Sequence, residues 1–578
     1  MLLIWLATCA LLLASRWAAI QGFGLGDTDD NMRIMEVRAW LGGQGWFDLR
    51  QYRLNPPYGA NIHWSRLVDL PIAGIKLALQ PFVGGADAEK TAVAVAPLIP
   101  MLLAFFAAAV TARRLIGPYA YGLALAVLLC GHSARSMWTP LRIDHHGWQL
   151  ALLLTAVTSL TDPKRARGGA ILGVATALSV TIGLEMLLYL ALLGGLAVLM
   201  WLREPAEARR LATYGGTLAG GTALGYLLFA SYANRMPVCD ALSPVWLSAL
   251  SAAGAIAVVL AFLSPKKWQI RLAIAAAGGA ALAVAFVLLW PHCLGRLENV
   301  SPEADALWLS NVREARPIYR HGMPTMIAVC ALPAAGLIGY LVMIWRSRRE
   351  PDKALLWAAV GAPAFLAVAL LLWQSRAGPA AQVLAVAGAT GLAWFLLGWT
   401  FSSRFVLVRV LGTVLAFLVI SGLAEQQAVS WIPQPKRTPA GAAVDKANGL
   451  CPTLWALHPI ALLPKGYILT HVDLGPRLIA VTHHDAVAGP YHRNGQDIVD
   501  VMKSFRGTPE FAHAVIERRR IDYVLVCPGM SESTIYAANA KNGFYMQLMK
   551  GNVPAWLTPI ALPKASPYRM WRVVRPGS

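Results

Sequence analysis

Apolar runs dominate the first 424 residues of this chain. They fall near 2–20, 91–112, 117–134, 147–161, 168–182, 184–202, 211–230, 243–262, 270–290, 324–345, 355–373, 380–399 and 404–424. A helix needs roughly 17 to 25 such residues to cross the hydrocarbon core of a bilayer, so the pattern predicts thirteen spans, with the chain ends on opposite sides. Basic clusters lie between the runs: Arg113 and Arg114, "DPKRAR", "REPAEARR", "SPKKWQIR", "RSRREPDK", and the "SSR" before Phe405. If every run crosses once, these clusters share one face, which the positive-inside rule makes cytoplasmic. The same rule resolves 168–202 into a hairpin turning near Gly183, because basic loops precede and follow it. Residues 66–84 are apolar but interrupted by Asp69, Pro71, Lys76 and Pro81. An interfacial helix fits them, since another crossing would invert every later basic loop.

The pattern changes after about Ala424. Polar turns now separate short strand-like pieces, "GYILTHV", "RLIAVT" and "DYVLVC", and "TPEFAHAVIERR" reads as a helix between the last two. The expected fold class is therefore an α-helical polytopic membrane protein with a C-terminal α/β domain outside the membrane. Residues 1–424 form the transmembrane unit, with large external loops at 21–90 and 291–323, and 425–578 form the soluble domain.

Composition agrees: 57% of residues are hydrophobic, 14% are charged, and the mean hydropathy is +0.52. A net charge of +20 can signal nucleic acid, but here Lys and Arg sit mostly between apolar runs. Membrane topology accounts for them, and no nucleic-acid partner is expected. The first run lacks the basic start and small-residue cleavage site of a secretory signal and reads as a retained span. Seven cysteines show no metal-ligand spacing; Cys451 and Cys527 either pair in an oxidising compartment or are unrelated thiols.

Unusual polar residues gather on the external side. Asp27, Asp29 and Asp30 open the first loop in "GDTDDNMR"; one or two of them would suffice to cap the following helix. "RIDHHGW" places Asp144, His145 and His146 at a span entrance, where a solvated turn is the plain reading. Glu314 in "SNVREARP" is flanked by arginines that can neutralise it, and Arg376 in "QSRAG" can anchor its span at the headgroups. "THHDAVAGPYHRN" reads as an exposed loop, its paired histidines lacking helical ligand spacing. Taken together, the loops offer hard oxygen ligands beside cations and aromatic rings. That set suits a divalent ion, phosphate and sugar.

In order and sidedness these motifs resemble the catalytic subunit of oligosaccharyltransferase, within the glycosyltransferase-C superfamily. In that family an Asp opens the first-loop motif and an Arg follows six positions later, as Asp27 and Arg33 do. Its second acidic motif, Asp-x-Asp or Asp-x-Glu, is matched by "DHH" at Asp144, with His146 replacing the second acid. A fifth-loop Glu in a Ser-Val-x-Glu-like setting is matched by Glu314, and a donor-phosphate Arg near a late span by Arg376. The acceptor motif Trp-Trp-Asp-Tyr-Gly resembles "HVDLG", where Asp473 and Gly475 match while His471, Val472 and Leu474 depart.

The resemblance implies a glycosyltransferase of the bacterial inner membrane, with its N-terminus cytoplasmic and its C-terminal domain periplasmic. It would move a sugar or oligosaccharide from a polyprenyl-phosphate or diphosphate carrier to an acceptor, inverting the anomeric carbon. Asp27, Asp144 and Glu314 are the expected catalytic ligands of Mg²⁺ or Mn²⁺, seconded by Asp29, Asp30 and His146. Arg376 and Arg33 are expected on the donor phosphate, and His471, Asp473 and Gly475 on the acceptor. The departures in "HVDLG" favour a lipid or polysaccharide acceptor over a protein. Two rival readings are a transporter or flippase of a lipid-linked anion and a noncatalytic envelope assembly protein. Acids clustered at span ends rather than at the midplane favour surface chemistry over transport.

Overall fold

The computed structural model describes residues 1–432 and 438–575. A helix stands at each of the thirteen apolar runs. Among the described residues six helices are long and apolar enough to cross a membrane, where thirteen spans were expected: Gly85–Leu115, Pro244–Leu263, Trp268–Leu289, Met323–Arg346, Pro351–Leu371 and Ser375–Phe401. Val408–Ile420 and Leu423–Trp431 make a seventh if their 84° bend interrupts one span. Gly422, at φ +79, supplies that bend, a conformation that costs a residue without Cβ little. Leu2–Ser15, Ala120–Cys130 and Leu187–Arg203 are shorter apolar helices. The chain is thus a multi-pass membrane protein. The expected interfacial segment forms the helix Asp69–Val83, whose first residue is buried among arginines.

Lipid offers no hydrophobic drive between spans, so close backbone approach must supply the packing. At Gly339 of Met323–Arg346, a Cβ would lie 2.0 Å from the Gly388 carbonyl oxygen of the facing Gly378–Phe401 helix. The pair Arg165–Ile182 and Ala208–Phe229 is equally tight: a Cβ on Gly169 would meet the Arg210 carbonyl oxygen at 2.0 Å.

The C-terminal region carries a five-stranded mixed sheet. Its order is Asp485–Ala486, Tyr467–Leu469, Tyr523–Val526, Arg569–Val573, Leu557–Pro559. Ile468 pairs with Ala486 and Tyr523 in parallel, and Val524 with Trp571 in antiparallel register. Residues 433–437 and 576–578 of the expected 425–578 domain lie outside the described residues. One face of the sheet shares its core with the 21–90 segment, loop one, Leu54, Ile62 and Trp64 packing in one cluster with Ile468, Leu478 and Leu525. Arg53 reinforces the seam, its Nε 2.7 Å from Asp485 Oδ1, and Leu54 bridges to Ala486. Loop one and the C-terminal region therefore bury a common apolar surface.

Among the described residues two disulfides form, Cys451 to Cys527 and Cys239 to Cys293. The "THHDAV" tract is not an exposed loop throughout: His484 is fully buried, its Nδ1 accepting from the Gly466 N–H. An imidazole with two ring nitrogens satisfies two backbone groups there, since its Nε2 also meets the Ile460 carbonyl oxygen at 2.8 Å.

Candidate functional site

Asp27 is the N-cap of the helix Thr28–Leu41, its Oδ1 accepting from the Asp29 N–H at 3.2 Å. Capping leaves the carboxylate a second oxygen, and Oδ2 pairs with Arg142 Nη1. One turn on, buried Asp30 accepts the backbone N–H of Asp144 on Oδ1 (3.1 Å) and faces Arg142 with Oδ2 (3.3 Å). Arg142 also donates to Asp144 Oδ2 at 2.9 Å. A single guanidinium thus gathers three carboxylates from the start of one helix and the entrance of another. Asp29 stands beside them, half-buried.

Asp144 has further partners. His146 Nδ1 lies 2.6 Å from its Oδ2, and His145 Nδ1 lies 2.9 Å from its Oδ1. His145 Nε2 in turn meets Glu185 Oε1 at 2.9 Å, and Gln149 donates to Glu185 Oε2 at 2.5 Å. Burial opposes charge on each of these groups, yet the pairing decides the outcome. His145, between two carboxylates, is pushed up to about 10 and stays an imidazolium. Asp144 is held well below the usual carboxylate range by His146, His145 and Arg142. The remaining acids go the other way: burial, then repulsion from Asp27 and Asp144, raises Asp29 to about 8. Burial raises Asp30 to about 7 despite Arg142. More carboxylates share this pocket than its cations can compensate.

Glu314 is not part of this group. It sits in a 3-10 turn, Arg313–Ala315, with its side chain 68% exposed and Oε1 3.9 Å from Arg376 Nη2. Arg376 also reaches Glu298 at 3.9 Å, and Ser375 N donates to the Arg316 carbonyl at 2.8 Å. Those contacts tie the 291–323 segment, loop five, to the turn around Arg376 and keep Glu314 and Arg376 together. Among the described residues, three groups of potential ligands bring their atoms within 4.8 Å: Asp144, His145 and His146; His63, Asp240 and His492; Cys239, His292 and Cys293. Glu314 belongs to none of them.

Three other expected contacts meet packing instead. Arg33 is fully buried, bonded to Asp69 Oδ1 at 3.0 Å and lying 4.4 Å over the Trp64 ring, so it faces the protein interior rather than a phosphate. His471 is buried within hydrogen-bond reach of Cys527 N (3.1 Å) and stacked on Tyr536; burial lowers it to about 4, which keeps it a neutral acceptor. Gly475 lets the helix Gly475–Val481 approach the Ala488 carbonyl, 2.0 Å from where a Cβ would stand. Asp473 remains exposed at the start of that helix, where it feels the charges of Glu532 and Asp27. Glu532 accepts the Val472 and Asp473 N–H groups at 2.8 and 2.9 Å.

Arg142, His145 and Glu185 carry much of the site's electrostatics, and sequence reading gave them no role. Arg142 lies two residues before Asp144 in a motif read for its acids. Glu185 was detectable in principle, as the carboxylate at the start of the apolar run 184–202, where ionisable groups are costly and hence functional suspects.

The fold is shared with solved oligosaccharyltransferase structures, in line with the resemblance the motifs carry. The chain is similar to the archaeal oligosaccharyltransferase AglB of Archaeoglobus fulgidus in complex with an inhibitory peptide and a dolichol-phosphate. That likeness has a TM-score of 0.67 and 16% identity, covering 93% of this chain and 69% of that one. The apo form of the A. fulgidus enzyme superposes with a TM-score of 0.65 at 17% identity, over 96% and 72% of the two chains. A structure of the same enzyme with Zn and sulfate gives 0.58 at 16%, over 90% and 66%. No family model and no curated protein matches the chain.

Proposed function

We propose that this chain is a membrane glycosyltransferase. It takes a sugar or oligosaccharide from a polyprenyl-phosphate or diphosphate carrier and transfers it, with inversion, to an acceptor on the periplasmic face of a bacterial inner membrane. The observation that carries this reading is the convergence of Asp27, Asp30 and Asp144 on Arg142 at the entrance of a span. The neighbours, solved with dolichol-phosphate in one case and Zn and sulfate in another, support it by analogy of fold.

The donor set fits a divalent cation. Carboxylates that retain protons near neutral pH, as Asp29 and Asp30 do, mark a local excess of negative charge that another cation would relieve. Asp27, Asp144 and His146 would hold Mg²⁺ or Mn²⁺, with Asp29 and Asp30 beside them. Such an ion, when bound, stabilises the negative charge developing on the departing phosphate. Arg142 orients the carboxylates, and imidazolium His145, buried between Asp144 and Glu185, adds fixed positive charge to the site. Arg376 supplies a further guanidinium for the donor phosphate, and Glu314 travels with it on loop five as a candidate ligand. Asp473 would orient the acceptor, whose attack on the anomeric carbon breaks the sugar–phosphate bond.

The test is reconstitution of purified protein with a polyprenyl-diphosphate-linked sugar. Expected products are the free carrier phosphate and a sugar-bearing acceptor, with transfer falling at least ~100-fold in Asp27→Asn and Asp144→Asn while membrane insertion is retained. Carrier crossing the bilayer with its sugar–phosphate bond intact refutes transfer. Near-normal turnover by Asp27→Asn refutes the role given to that residue.

A further inference from the structure

Apart from the carboxylates around Arg142, three external segments bring together a second set of ligating side chains. His63 comes from the first loop, Asp240 from the segment before the span Pro244–Leu263, and His492 from the C-terminal region; each offers an atom within 4.8 Å of the others. His492 Nε2 lies 2.6 Å from Asp240 Oδ2, and the His63 and His492 rings are 4.6 Å apart between centroids. His63 Nδ1 is buried and has no hydrogen-bond partner, although buried ring nitrogens are normally satisfied.

We propose that His63, Asp240 and His492 form a transition-metal site, suited above all to Zn²⁺, that staples three external segments beside the reaction centre. Two imidazoles and one carboxylate, with a fourth position for water, are a zinc donor set. The outer shell is already built. Arg493 grips Asp240 along its other edge, Nη2 to Oδ1 at 2.6 Å and Nε to Oδ2 at 2.7 Å, and is itself oriented by Asn234 Oδ1 at 2.7 Å. Partners of this kind fix a ligand's direction. An ion–pair network alone would account for Asp240, Arg493 and His492, but it leaves His63 without a role. Binding the ion replaces the hydrogen bond between His492 and Asp240, with no change of oxidation state.

The staple acts on the site through its neighbours. Trp64, next to His63, packs 5.6 Å from the Tyr491 ring and 5.7 Å from His145. Cys239, next to Asp240, is linked to Cys293 at the start of loop five. None of this depends on the chain transferring a sugar.

The experiment uses full-length protein in detergent, carrying Asp144→Asn and His146→Gln to silence the other Asp–His cluster, stripped with chelator and titrated with Zn²⁺ or Co²⁺. About one tightly held equivalent is expected, with a higher unfolding midpoint in its presence. His63→Gln and His492→Gln should each weaken binding at least about tenfold. Retention of metal by both variants overturns the assignment, as does the lack of stoichiometric binding in the doubly substituted protein. X-ray absorption at the zinc edge decides independently of whether the variants fold: two imidazoles with oxygen support the site, and a sulfur-containing or all-oxygen shell sinks it.

Discussion

Replacing Arg142 by Gln removes the one guanidinium that three carboxylates share, and the three will not suffer equally. The Asp27 side chain is 41% exposed, so solvent compensates for its lost partner and the cost there is small. Asp144 keeps His145 and His146. Asp30, with its side chain 2% exposed, keeps only the Asp144 N–H. A buried charge left without its partner costs about 3–5 kcal/mol, but Asp30 can escape by taking up a proton, because burial already holds it at about 7. An acid whose folded pKa lies above its unfolded value contributes stability present below the unfolded pKa and lost as pH rises through the folded one. Without Arg142 that folded value climbs further. The variant should therefore be within about 1 kcal/mol of the parent at pH 6 and about 2–3 kcal/mol less stable at pH 8.5. Thermal unfolding in detergent, followed by tryptophan fluorescence at the two pH values, measures the gap. A gap equal at both, or none at pH 8.5, refutes the account of Arg142 as the counter-charge of Asp30.

Two further outcomes follow from the packing. Glu532→Ala strands the Val472 and Asp473 N–H groups, each costing about 1–3 kcal/mol; hydrogen exchange at those two amides should accelerate strongly, and unchanged protection would show that Glu532 does not hold the Asp473 segment. Gly339→Ala forces a methyl against the Gly388 carbonyl and should destabilise by about 1–3 kcal/mol. The control Gly216→Ala, with open space around its Cβ, should leave the unfolding midpoint level or raised; equal losses in both variants would argue against close helix contact at Gly339.

Much of the architecture was readable along the chain because it is written in local terms. Hydropathy and basic clusters are one-dimensional signals, and a helix lies under every apolar run, with Arg165–Ile182 and Leu187–Arg203 on either side of Gly183. The cap at Asp27 is local too, needing only its own oxygen and an N–H two residues on. The sequence could also mark Asp144 and His146 as neighbours, since two positions separate them. Proximity between distant residues is another matter. That Asp30 bonds Asp144, that Glu185 closes on His145, and that Glu314 stays with Arg376 are products of how helices and loops pack, and no spacing rule encodes them. Burial likewise turned residues with motif-like positions to structural work. Arg33 answers Asp69, His471 answers Cys527, and Gly475 makes room for a carbonyl, because an interior must pair its polar groups and fill its space before any side chain is free for a ligand.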